Sequence, residues 1–295
     1  MPRLGVIGLG NIGGAIAANL VADGDEVVVH DADPSRRDGI GGATPAASVA
    51  DVAAAAEITI TSLPTPEVVH DVARRWAKAA AQGSILLDLS TSAPSGNQAL
   101  ADELRASGHH FVEAPLTGGA AGAQGRTLVF MVGGDDGPVE RCRPVLERIG
   151  RATFHVGPVG AGSTMKLVNS LLAFTCTLGS LEALTLAASA GLDLRTVVDV
   201  IRTGGASNFY IDRAVEGIDQ RGRPPQFALG LAEKDARLIE GIADAAGIPA
   251  PIAAAVRSSL ADALERGLGE HDWSDLVVAA EARAGVELRL GPPPA

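Results

Sequence analysis

The residue in this chain best suited to moving a proton stands in 160-GAGSTMKLVN-169. Lys166 is one of 3 lysines, with Lys78 and Lys234, in a chain of 295 residues that carries 21 arginines. A guanidinium stays protonated at any pH a protein survives, whereas an ammonium that is desolvated or set near other positive charge can release its proton and act as a base. The apolar run behind the lysine, 167-LVNSLLAF-174, predicts a long helix near 163–190 with Lys166 in its first turn. There the helix dipole disfavours added positive charge and moves an amine toward working pH. Asn169 and Ser170, three and four residues on, share its helix face and can orient a substrate or the amine. Upstream, Thr117, Gly118 and Gly119 form a turn whose backbone N–H groups can receive an anion.

A second constellation binds rather than reacts. The apolar run 4-LGVIG-8 leads into Gly8, Leu9, Gly10, Asn11, Ile12 and Gly13, and a helical pattern follows. The three glycines serve a tight turn, close approach of backbone to a pyrophosphate, and close packing of helix on strand, while the helix start offers N–H groups to the phosphates. Asp31 ends the next strand, 18 residues past Gly13, where a carboxylate holds both ribose hydroxyls and repels the extra phosphate of NADP. NAD is therefore the expected cofactor, with NADP not excluded because Arg36 and Arg37 stand close by.

These residues need a scaffold, and the pattern supplies one. Strands are predicted at 3–8, 26–30, 58–63, 84–89, 110–114, 127–132 and 153–156, with helices at 13–24, 66–83, 95–108 and 137–150. Alternation of this kind implies a parallel sheet covered on both faces. After Gly162 the strand signals stop, and helices are expected near 163–190, 193–203, 228–246, 250–267 and 274–284. The segment 204–226 reads as an irregular or partly helical connector whose Ser207, Asn208 and Tyr210 are further candidates for lining a cleft. The fold class is thus α/β, a Rossmann-type dinucleotide-binding domain over 1–162 followed by an all-helical domain over 163–295, with 290-LGPPPA-295 as a loose tail.

Composition narrows the partners. A net charge of −11 without a basic block, and 3% aromatic residues, argue against nucleic acid. Cys142 and Cys176, 34 positions apart, fit small core residues in a reducing compartment, and the six histidines show no metal-ligand spacing. The opening residues read as a strand and not an export signal, and Glu182 with several Ser and Thr interrupts the apolar run at 167–192, so a cytoplasmic protein without a membrane span is expected.

Five segments in order, 8-GLGNIGGAIAANL-20, 88-DLSTSAP-94, 113-EAPLTGGAAGAQGRTLVFMVGG-134, 160-GAGSTMKLVN-169 and 227-FALGLAEKDARL-238, resemble the β-hydroxyacid dehydrogenases, the group of 3-hydroxyisobutyrate dehydrogenase and tartronate semialdehyde reductase. The resemblance implies hydride transfer between NAD(P) and a small 3-hydroxy carboxylic acid, with Lys166 as the catalytic general acid/base and Asn169 beside it. It further implies a substrate carboxylate on Thr117, Gly118 and Gly119, Thr91 at the junction of cofactor and substrate, Leu63 and Pro64 bordering the cofactor, and Lys234 near the nicotinamide. The family often carries Asn or Gln where Ser170 stands, which predicts altered contacts to the substrate. A homodimer or homotetramer is expected, built on the long apolar helix. Imine reduction, phosphogluconate-type decarboxylating chemistry and a catalytically silent cofactor-binding module are the competing readings. Lys166 argues against the first and the last, and no phosphate pocket for the second is evident.

Overall fold

The computed structural model describes residues 2–291. Most of the expected loose tail, residues 292–295, lies outside them. The chain divides into two compact units, Met1–Lys166 and Leu167–Ala295.

In the first unit the order is β1 (Leu4–Ile7), α1 (Gly13–Ala22), β2 (Val27–His30), α2 (Pro34–Asp38), β3 (Thr44–Pro45), α3 (Val49–Ala55), β4 (Ile58–Thr61), α4 (Pro66–Ala77), β5 (Ile85–Asp88), α5 (Pro94–Ala106) and β6 (His110–Glu113). It continues through β7 (Leu116–Thr117), α6 (Gly119–Gln124), β8 (Leu128–Gly133), α7 (Asp136–Ile149) and β9 (Gly150–Gly157) into α8 (Ala161–Ser189). The sheet runs β3-β2-β1-β4-β5-β6-β8-β7, with β9 beside β8. The central strands β1, β4 and β5 are buried along their whole length, as parallel strands covered by helices on both faces must be. One face packs Leu4, Val6, Ile58, Ile60, Ile85 and Leu87 against Ile16 and Leu20 of α1 and Val139 and Val145 of α7. The other face packs Ile7 and Leu86 against Val52, Val72, Leu100 and Leu104 of α3, α4 and α5. Trp76 is fully buried there and its Nε1 donates to Thr59 Oγ1 at 2.8 Å. Truncating such a side chain typically costs about 3–5 kcal/mol.

The sheet departs from the fully parallel arrangement expected: β8 runs antiparallel to β6 and β7 and parallel to β9. The reason is connection length. Residues 118–127 between β7 and β8 are too few for a crossover, so the chain turns back, whereas the 14-residue α7 between β8 and β9 provides one.

The second unit holds the rest of α8 with α9 (Leu194–Thr203), α10 (Phe209–Asp219), α11 (Leu229–Ala246), α12 (Pro251–Glu265), a 3-10 turn (Trp273–Asp275) and α13 (Leu276–Ala284). Its core joins Leu167, Phe174 and Leu184 of α8 to Val198, Ile211, Ala236, Val256 and Val277. The 204–226 connector contains a full helix of 11 residues. Asn208 caps it by accepting from Tyr210 N and Ile211 N, and Ile211, Ala214 and Ile218 form its buried face.

Candidate active site

The glycine turn between β1 and α1 is built by steric exclusion. Gly8 has φ +90°, and a Cβ there would lie 2.3 Å from Ser62 O, while a Cβ on Gly13 would lie 1.9 Å from Gly8 O. Only glycine lets turn and helix approach so closely. Asp31, just past β2, grips this turn: its Oδ2 accepts from Leu9 N at 2.6 Å and its Oδ1 from Asp33 N at 2.8 Å. Of the two nearby arginines, Arg37 pairs with Asp38 at 2.7 Å, whereas Arg36 Nη1 lies 3.8 Å from where a Gly10 Cβ would stand.

The remaining loops leave the sheet at the carboxyl ends of its parallel strands. In register, His30, Ile7, Thr61, Asp88, Glu113 and Gly133 form one row across that end. Asp88 is fully buried, and its Oδ1 accepts from Thr61 Oγ1 at 2.8 Å and from Ser90 Oγ at 2.6 Å. Burial pushes its carboxyl above the usual range, against the pull of the Ser90 and Thr61 hydrogen bonds. Ser90 Oγ in turn accepts from Leu63 N at 2.9 Å, so the segment carrying Leu63 and Pro64 is tied to the one carrying Thr91. Thr117 ends β7, and Gly118 and Gly119 are exposed at the start of α6. Asn19 Nδ2 donates to Ala123 O at 2.8 Å, which fixes α6 against α1.

Lys166 is the sixth residue of α8, because the helix begins at Ala161. It therefore sits in the second turn and not in the first, where the dipole acts most strongly. Lys166 and Asn169 are half-buried on one face, and Ser170 on that face is buried. The first unit thus gathers the glycine turn, Asp31, Leu63, Pro64, Thr91, the 117–119 turn and Lys166 in one body. Asn169, Ser170 and Lys234 belong to the second unit, where Lys234 Nζ lies 3.1 Å from Asp235 Oδ1. Cys142 is a core residue whose thiol burial pushes up to about 12.

Residues 3–157 match the family model for the NAD binding domain of 6-phosphogluconate dehydrogenase, and residues 160–280 match that for the NAD-binding domain of NADP-dependent 3-hydroxyisobutyrate dehydrogenase. The chain is 31% identical to 2-(hydroxymethyl)glutarate dehydrogenase of Eubacterium barkeri, over 98% of each chain. It belongs to the β-hydroxyacid dehydrogenase family. A further member, the NAD-dependent L-serine dehydrogenase of Pseudomonas aeruginosa, is 31% identical over 93% of this chain and 96% of that one. Among solved structures, 3-hydroxyisobutyrate dehydrogenase of Mycobacterium tuberculosis with L-serine superposes with a TM-score of 0.83 at 28% identity, covering 94% of this chain and 98% of that one.

As a β-hydroxyacid dehydrogenase the chain is an NAD(P)-dependent oxidoreductase acting on CH–OH groups. The glycine turn fits such a cofactor. A Cβ on Gly10 would meet nothing nearer than Arg36 Nη1, so the backbone is open for close approach, and no side chain caps α1 at Ile12. Sequence reasoning assigned no role to Asp88, Ser90, Asn97, Glu113 or Ser163, although four of the five lie inside the segments that carry the family resemblance. The available signal was a carboxylate closing each of two apolar strands, 85-ILLD-88 and 110-HFVE-113.

Proposed function

We propose that this enzyme transfers a hydride between NAD and the hydroxyl-bearing carbon of a short 3-hydroxy carboxylic acid, with Lys166 as general acid/base. The observation that carries this reading is a shared skeleton. The names of the three relatives give 2-(hydroxymethyl)glutarate, L-serine and 3-hydroxyisobutyrate, each of which has a CH2OH on the carbon that bears a carboxylate. The chain offers matching groups: exposed backbone at Gly118 and Gly119 for the carboxylate, and a half-buried amine at Lys166 for the hydroxyl proton. Gly8, Gly10, Gly13 and Asp31 hold the cofactor, with Leu63, Pro64 and Thr91 beside it; when bound, its nicotinamide supplies the hydride acceptor. Lys166 takes the hydroxyl proton in oxidation and returns it in reduction, Asn169 orients the reacting groups, and the 117–119 turn fixes the substrate's direction. Ser170 replaces the common amide, and the shorter side chain favours a group beside the hydroxyl different from that of the usual family substrates. The assignment of Lys234 to the nicotinamide end rests on the family resemblance. A homo-oligomer completes the reading.

The test is a panel of paired substrates, each acid beside its amide, run with both cofactors and three enzymes. Lys166→Ala should lower kcat by about 10²-fold or more with NADH affinity retained, and Lys166→Arg should fail equally because a guanidinium keeps its proton. Normal turnover in the arginine variant would reduce Lys166 to an electrostatic anchor. Equal efficiency for acid and amide would remove the carboxylate from the mechanism and favour imine reduction instead.

A further inference from the structure

The strand β6 ends on a carboxylate, Glu113, whose side chain is wholly buried. A carboxylate out of water is costly unless donors replace its hydration. Glu113 Oε1 accepts from Gly160 N at 2.7 Å and Ser163 N at 3.1 Å, and Oε2 accepts from Ser163 Oγ at 2.7 Å and Asn97 Nδ2 at 2.7 Å. Asn97 Nδ2 also reaches Ser163 Oγ at 3.0 Å, which closes the network. Gly160 N and Ser163 N are helix-start amides that have no partner inside α8, and a capping side chain of the helix itself usually serves such groups. Here the cap comes from the sheet, 47 to 50 residues earlier in the chain.

The surrounding glycines are shaped to this seat. A Cβ on Gly133 would lie 2.5 Å from Glu113 Oε1, and one on Gly162 would lie 2.5 Å from Met131 O and 3.1 Å from the same oxygen. Gly160 has φ +100°, a conformation that other residues adopt only with strain. The glycines and serine of 160-GAGS-163 are therefore the imprint of a carboxylate. Two amides three residues apart fix both the height and the rotation of the helix start against β6, and Lys166 follows Ser163 by three residues, one turn on. β6 continues through Ala114 and Pro115 into β7 and Thr117, so one strand carries both the seat of α8 and the proposed substrate-carboxylate turn.

We propose that Glu113 is a positioning residue for Lys166, setting the lysine's distance from the bound substrate through the first turn of α8. This rests on the reading of Lys166 as the proton-transferring group. A misplacement of about 1 Å in such a group can cost about 10²-fold in rate.

The test is a double-mutant cycle in the intact enzyme, with kcat, NADH binding by fluorescence and thermal melting read for each protein. Glu113→Ala should lower kcat by roughly ten- to a hundredfold while the NADH dissociation constant stays within about twofold. In a Lys166→Ala background the same change should cost nothing further, because it acts through the missing amine. Glu113→Gln should restore much of the activity. Asn97 Oδ1 has no hydrogen-bond partner among the described residues, so a turned amide can accept from the new NH2 group. Where Glu113→Ala does not fold, Ser163→Ala enters the same cycle and should show a smaller loss that also vanishes without Lys166. Wild-type kcat in a folded Glu113→Ala enzyme, or additive losses in either cycle, would overturn the positioning role. Full turnover in Lys166→Ala alone would instead take down the general acid/base reading and, with it, this one.

Discussion

At the scale of single residues, cofactor choice turns on Asp31. Its two oxygens already accept from Leu9 N and Asp33 N, so the carboxylate both shapes the glycine turn and presents negative charge beside it. That charge repels a 2′-phosphate. Ala32 is exposed and leaves room for a guanidinium. The expected outcome for Asp31→Asn combined with Ala32→Arg is a fall in the NAD-over-NADP ratio of kcat/KM by at least about tenfold, which corresponds to about 1.4 kcal/mol. Steady-state kinetics with both cofactors checks it. A wild-type enzyme that strongly prefers NADP would defeat the argument and hand the phosphate to Arg36, which faces Gly10. Asp31 and the glycines can be read from sequence because each acts on neighbours a few residues away or at a fixed spacing. Asp88 and Glu113 cannot, since Thr61 lies 27 residues from the first, and Gly160 and Ser163 lie 47 and 50 from the second, and these become neighbours only in the folded chain.

At the scale of elements, the strands and long helices are legible because their periodicity follows from burial on one or two faces. The short pieces are not. β3 and β7 have two residues each, and α2 and α6 have 5 and 6, too few for a period to repeat. The antiparallel return of β8 is a property of linker length, which periodicity does not report. The row of strand ends carries its own pH signature. Burial raises the Asp88 carboxyl above its ordinary 3.8, with a further push from the charge on Glu113. The folded chain then holds the Asp88 proton more tightly than the unfolded chain does. The stabilisation is complete below 3.8 and is lost as pH rises through the folded-state value. Asp88→Asn keeps an acceptor for Thr61 and Ser90 but cannot ionise. Its melting temperature minus that of the wild type should therefore rise as pH rises above 3.8, on top of any constant offset. Thermal melts across that range decide it, and a difference that stays flat would mean that Asp88 does not hold its proton in the fold.

At the scale of the whole molecule, the longest helix is only half explained by the chain that contains it. Leu167, Phe174, Leu181 and Leu184 bury one side of α8, but Met165, Val168, Leu172 and Leu186 stay exposed, Leu186 at 66%. At 3.6 residues per turn these four fall within about 60° of one another, and Gly179 and Ala183 continue the same stripe with small side chains. By length and composition the helix could cross a membrane, yet Glu182 interrupts it and its opposite face is part of a protein core. An apolar stripe running the length of a 29-residue helix is suited to the same stripe on a second copy, since a two-fold axis brings identical surfaces together. The small residues at 179 and 183 would let two such helices approach closely. The expected outcome is a wild-type enzyme that elutes as a dimer or tetramer, and a Leu172→Glu, Leu186→Glu double variant that shifts toward the mass of a single chain with its helical content unchanged. Light scattering coupled to gel filtration, with circular dichroism on the same fractions, measures both. A wild type that runs as one chain, or a double variant that keeps its assembly, would move the subunit contact away from α8.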